Sequence, residues 1–207
     1  MSENKQEKRS SHIYRFMHGV ATFLIHTITP LTAHDLHNIP EKAPFIIICN
    51  HKTFYDPVAI IAAVKNHEIS FLSKKEIMKV KLLKWFFTKM HCIPVDRGHT
   101  DMAAMRACVK TLREGGVLGI FPEGTRHREG VMEHLEGGAS LLTLRSRVPL
   151  VPVYITPKFR FFRRMHLYVD KPIAYDDLLE QGVNNETCAA LNARITATYA
   201  ELVKKHG

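Results

Sequence analysis

Absences narrow this chain before anything in it does. Its 207 residues hold four cysteines, Cys49, Cys92, Cys108 and Cys188, widely separated and never as Cys-x-x-Cys. A disulfide framework and a cysteine-based zinc module are therefore not expected, and free thiols in a reducing compartment are. Thirteen histidines are present, yet none is spaced for metal ligation with a third partner, so no metal is expected at the site. Residues 1 to 11 (MSENKQEKRSS) are polar and lack the apolar centre of a secretory leader, which argues against export. No stretch offers the ~20 nearly uninterrupted apolar residues of a bilayer span. Internal repeats and low-complexity tracts are also missing, which sets aside solenoids and disordered chains.

What is there suits a globular protein with an anionic partner. Apolar residues make up 45 % of the chain, enough for a substantial core. Lys and Arg outnumber Asp and Glu 29 to 20, a net charge of +9. The partner could be nucleic acid, a phosphorylated substrate or an acidic lipid surface, and charge alone does not choose. Two stretches bear on the choice. From Ile13 to Leu31, apolar residues recur at helical spacing around Arg15, His18 and His26, the pattern of an amphipathic helix that lies on a membrane or packs on the domain's own core. From Lys74 to Met90, KKEIMKVKLLKWFFTKM reads as one basic helix, with a membrane-facing or a buried Leu/Trp/Phe side. Residues 1–35 are accordingly set apart as tail and membrane-associating helix, and 36–207 as the main domain.

The most informative stretch is Asn50-His51-Lys52-Thr53-Phe54-Tyr55-Asp56-Pro57, which follows the apolar run Phe45 to Cys49. That run reads as a buried strand, so the motif falls where a strand gives way to a helix. Asp56 suits the helix cap and Pro57 its first position. A carboxylate held there can bind one nitrogen of His51 and leave the other as a base. Cys49 invites a covalent thioester, but a cysteine in an apolar run is more often core.

Further along, strands are predicted at Glu68–Ser73, Cys92–Val95, Val117–Phe121, Leu150–Thr156 and Met165–Val169. Helices are predicted at Asp101–Glu114 (capped by Thr100), Met132–Arg147 and Glu186–Lys205. The alternation predicts an α/β fold, a mixed, largely parallel central sheet flanked by helices. Three strand exits then carry polar groups a core would not need: His51 with Asp56, Asp96 with Arg97, and Glu123 with Arg126. Neighbouring strands would bring these exits to one crevice.

Four blocks, NHKTFYD, IPVDRG, FPEGTR and VPLVPVYI, occur in one order over roughly residues 40 to 160. Together they resemble the glycerolipid acyltransferases, and most closely the bacterial 1-acyl-glycerol-3-phosphate acyltransferases. The resemblance implies that family's fold and transfer of a fatty acyl group from acyl-CoA or acyl carrier protein to the hydroxyl of lysophosphatidic acid, with no cofactor beyond the acyl thioester. It implies His51 and Asp56 as the catalytic pair and Arg126 as the phosphate grip, with Gly124 and Thr125 in the same block. Lys74 matches a lysine the family places after its second strand. Arg97 could add charge at the phosphate or pair with Asp96, and Glu123 could contact glycerol hydroxyls or order the Gly124 turn. An anionic membrane surface is the implied partner, with peripheral attachment on the cytoplasmic side and no nucleic acid. The alternatives are an acyltransferase or transacylase for another head group, and a non-enzymatic basic module in which Phe159 to Arg164 stacks on bases.

Overall fold

The computed structural model describes residues 12–96, 101–124, 130–156 and 164–207. Its centre is β2, Phe45–Cys49, every residue of which is buried. Side chains alternate across a strand, and here Phe45, Ile47 and Cys49 enter one core while Ile46 and Ile48 enter the other. Both faces are covered, so an uninterrupted apolar run is what the position requires.

Around it run β1 (Leu31–His34), β3 (Ile69–Lys74), β4 (Ile93–Val95), β5 (Val117–Ile120), β6 (Leu150–Ile155) and β7 (Met165–Val169), in the order β1-β7-β6-β2-β5-β3-β4. All neighbours pair in parallel except β6 with β7. The strand exits of β2, β5, β3, β4 and β6 therefore share one end of the sheet. Helices α1 (His12–Ile28), α2 (Asp56–Ala63) and α3 (Lys81–Lys89) lie over one face, contributing Tyr14, Ile25, Ile60 and Phe86 to its core. Over the other lie α4 (Met102–Arg113), α5 (Gly137–Ser146), α6 (Asp176–Glu180) and α7 (Asn185–His206), with Leu112, Leu142, Leu178 and Ile195. The mixed, largely parallel α/β architecture expected from the alternation is the one found.

Several local expectations need correction. The basic stretch from Lys74 to Met90 is not one helix: Lys74 ends β3, paired with Val95, a 3-10 turn covers Lys75–Lys79, and extended Val80 precedes α3. Sheet pairing claims the first residue, and a β-branched valine suits the break. The helix expected from Met132 begins only at Gly137, because Met132 is buried with a left-handed backbone (φ 56°). The cap of α4 is Asp101, which accepts from the N–H groups of Ala103 and Ala104 at 3.0 Å each. Thr100, the expected cap, lies outside the described residues.

The N-terminal helix uses both of its sides. Tyr14 and Ile25 are buried against α2 and its neighbours, and the Tyr14 hydroxyl accepts from the Ile69 N–H at 2.9 Å. Phe16 and Phe23, by contrast, are 68 % and 70 % exposed. On α3, Leu83 and Trp85 are also exposed, where a buried apolar side was the alternative expectation. Among the described residues no helix is long and apolar enough to cross a membrane.

Candidate functional site

At the end of β2 the chain stops pairing as a strand and Asn50 takes over the ladder with its side chain. Its amide donates to Ile155 O at 2.8 Å and accepts from Ile155 N at 2.9 Å, so a fully buried polar residue is satisfied by the end of β6. From the other side, the Tyr199 hydroxyl of α7 donates to Ile48 O at 2.7 Å and accepts from Val153 N at 3.2 Å. These bonds close β2 on β6 below the motif and give His51 a fixed base.

His51 and Asp56 meet as expected, with Nδ1 3.0 Å from Oδ2. Asp56 differs from expectation in detail: it is the first helical residue rather than the cap, and its carboxylate turns back onto the preceding loop. There Oδ2 accepts from Lys52 N and Thr53 N, both at 2.7 Å, and Oδ1 from Thr53 Oγ1 at 2.6 Å. With two backbone N–H groups already aimed at Oδ2, that oxygen acts as an acceptor. The His51 proton therefore belongs on Nδ1, and Nε2 keeps its lone pair. Asp56 is buried and the His51 side chain is 14 % exposed, so the dyad is largely withdrawn from solvent.

Glu123 arrives from the exit of β5, next to β2 in the sheet. Its Oε2 accepts from the His51 N–H at 2.7 Å and its Oε1 from the Met132 N–H at 2.9 Å, so one buried carboxylate ties three segments together. Gly124 follows with a left-handed backbone (φ 68°), and a Cβ there would come within 2.7 Å of the Glu136 carboxylate. Lys52 Nζ donates to Gly130 O, a second tie between the His51 loop and the segment after β5. The His51 imidazole lies against the Phe121 ring, centroids 4.2 Å apart and planes 26° off parallel.

His51, Asp56, Glu123 and Gly124 thus form one constellation. Lys74 stands at the same end of the sheet, at the end of β3, half exposed and 3.9 Å from Glu76. Asp96, on the edge strand's exit, pairs with Lys75 at 3.7 Å. Arg97, Thr125 and Arg126 lie outside the described residues, as do residues 159–163 of the basic aromatic stretch. Sequence reasoning assigned no role to Asn50, Phe121 or Met132. For Asn50 a signal existed: an amide directly after five apolar residues must find partners in the sheet. The contacts of Phe121 and Met132 depend on how β3, β5 and the later loop meet, which no local pattern carries.

Cys49 is fully buried beneath the dyad, and its thiol is pushed well up by burial and, secondarily, by the Asp56 and Glu123 carboxylates. Such a thiol is a poor nucleophile. Among the described residues no group of His, Cys, Asp and Glu is arranged to hold a metal ion.

A family model described as Acyltransferase matches residues 30–156. A 1-acyl-sn-glycerol-3-phosphate acyltransferase of Bacillus subtilis is 27 % identical over 198 residues, spanning 93 % of this chain and 98 % of its own. One of Streptococcus pneumoniae is 25 % identical over 197 residues, spanning 91 % of this chain and 72 % of its own. The crystal structure of PlsC, the 1-acyl-sn-glycerophosphate acyltransferase of Thermotoga maritima, superposes with a TM-score of 0.68 at 21 % identity, covering 94 % of this chain and 79 % of that one. This last likeness is one of fold.

Proposed function

The chain belongs to the Acyltransferase family, and from that premise we propose that it moves a fatty acyl group from acyl-CoA or acyl carrier protein to the sn-2 hydroxyl of 1-acyl-glycerol-3-phosphate, giving phosphatidic acid. The observation that carries the reading is the His51–Asp56 pair at a strand exit, with Asp56 saturated by donors so that Nε2 is the free base. The named activity of the B. subtilis relative, which matches along nearly the whole chain, supports the acceptor.

In this mechanism His51 Nε2 takes the proton of the acceptor hydroxyl as its oxygen attacks the thioester carbonyl. Asp56 keeps the imidazole oriented and stabilises the imidazolium, as in a serine hydrolase whose serine is replaced by the substrate. The tetrahedral intermediate collapses, the carbon–sulfur bond breaks, and the leaving thiolate takes the proton back from His51. Glu123 holds the His51 backbone rather than the substrate, and the phosphate is assigned to Arg126, with Lys74 and Arg97 as further cations. The enzyme works at an anionic membrane surface on the cytoplasmic side. Exposed Phe16, Phe23, Phe54 and Trp85, with Lys79, Lys81 and Lys84 beside the last, support that attachment.

The deciding assay uses purified enzyme, lysophosphatidic acid and each donor in turn. The expected result is phosphatidic acid formation that falls by about 10²–10⁴-fold in His51→Ala. Undiminished transfer in that variant would overturn the base assignment, and transfer only to a different lysophospholipid would overturn the acceptor.

A further inference from the structure

We infer that Phe121 is a positioning residue for His51: its ring holds the imidazole in the orientation Asp56 requires and stabilises the imidazolium formed as His51 takes the substrate proton. The inference rests on the general-base role proposed above for His51. Two features of the fold lead to it.

The first is the stack itself. The His51 and Phe121 rings lie 4.2 Å apart and nearly parallel, so one face of the imidazole is covered by a π system while Nδ1 is tied in-plane to Asp56. Tethered at Cβ and hydrogen-bonded through Nδ1, the imidazole keeps only a limited rotation about its Cβ–Cγ bond. A ring against its face removes the rotation, and Nε2 then points in one direction. A cation within ~6 Å of an aromatic centroid is attracted to the ring's electron-rich face, and a neutral imidazole much less so. The stack therefore favours the charged state that His51 passes through during the reaction over the resting one.

The second is that Phe121 is itself supported. Its far neighbour is Phe71 of β3, centroids 5.7 Å apart and planes 17° off parallel. Phe71 is paired in register with Gly119 of β5. A Cβ on Gly119 would fall 2.2 Å from the Phe71 ring, so only glycine leaves room for that ring to lie flat across β5. The series Gly119, Phe71, Phe121, His51 is continuous contact from strand interior to base. A ring that merely filled space beside the dyad would not need a glycine two residues upstream to seat its support.

Among the described residues, the charged or titratable groups facing His51 are Asp56 from α2, on Nδ1, and Glu123 from the β5 exit, on the backbone N–H. Lys52 is adjacent in the chain with its ammonium on Gly130 O, and Cys49 lies buried beneath. None of these contacts involves Phe121, so its replacement changes the ring face and leaves the charges in place.

The test compares Phe121→Leu and Phe121→Met, which keep apolar bulk without a π face, with Phe121→Tyr, which keeps the ring. Each is assayed with lysophosphatidic acid and acyl thioester across pH, and its folding is checked by thermal melting. In the Leu and Met variants kcat should fall about 5- to 30-fold and the acid limb of kcat/KM should move to lower pH by about 0.5–1 unit. KM for the acceptor should change little, and Phe121→Tyr should restore both the rate and the limb. Gly119→Ala, which disturbs the support, should shift both in the same direction by less. An unmoved pH profile in both folded variants, or a loss confined to KM, would overturn the inference. His51→Ala separates the two claims: if it is inactive while the Phe121 profiles stay unmoved, only the ring's role falls. If it is active, the base assignment and the ring's role fall together.

Discussion

Glu123 holds His51 by its backbone, not its ring: Oε2 takes the His51 N–H at 2.7 Å while Oε1 takes that of Met132 at 2.9 Å. The carboxylate is buried and both oxygens are engaged inside the protein. Glu123→Gln leaves one buried N–H facing an amide NH2, which costs about 1–3 kcal/mol. For a domain of this size that lowers Tm by roughly 2–12 °C. Because the tie sets where the imidazole stands, kcat should fall while KM for lysophosphatidic acid stays near the parent value. A raised KM with unchanged Tm would instead mark Glu123 as a substrate contact.

Cys49 lies below the dyad with its thiol pushed up by burial and by the two carboxylates. Cys49→Ala should keep kcat within about threefold of the parent, and the folded enzyme should react slowly with iodoacetamide at pH 8 at this position. Abolished activity in a variant that melts at the parent temperature would reinstate a covalent acyl-cysteine.

The cap of α4 gives a pH-dependent prediction. The Asp101 carboxyl is held below its usual value of 3.8, first by the Ala104 N–H, then by those of Asp96 and Ala103. Its folded-state pKa is depressed, so its contribution to stability is present above the unfolded value and is lost as pH falls through the folded one. Asp101→Ala should therefore melt below the parent at pH 7, and the gap should narrow as the pH is taken below about 3.8. A gap that does not change with pH would show that the cap's charge is irrelevant.

Membrane attachment is best tested by point substitution, because α1 also supplies Tyr14 and Ile25 to the core and leads directly into β1, so deleting it would uncover the sheet. Leu83→Ser with Trp85→Ser should weaken flotation with anionic vesicles by about tenfold or more. Phe16→Ser with Phe23→Ser tests the other exposed surface in the same assay. Flotation unaffected by both pairs would remove the membrane from the proposal.

Legibility in the sequence followed how local each determinant is. FIIIC announces a doubly covered strand, and the five-residue spacing of His51 and Asp56 announces the pair, because strand exit and helix start are set within a few residues. β1 is not legible because Leu31–His34 is short, only partly buried and, among the described residues, pairs only with β7 at the sheet's edge. Val80 breaks one expected helix with an extended backbone just after the residues that β3 claims, and Met132 breaks the other with a left-handed one held by Glu123 and Thr196. The stack on His51 was invisible for a related reason: it depends on Gly119 lying opposite Phe71, a register between strands.

The place of β2 in the middle of the sheet has a consequence for synthesis. Its partner contacts lie well downstream, 72 residues from His51 to Glu123 and 105 from Asn50 to Ile155. As the chain emerges from a ribosome, the apolar ribbon Phe45–Cys49 is out long before either neighbouring strand exists. Pairings this distant in sequence form late, and an unpaired apolar strand is the kind of segment that aggregates meanwhile. The strand that leads into His51 is the one the newborn protein must keep from sticking to others.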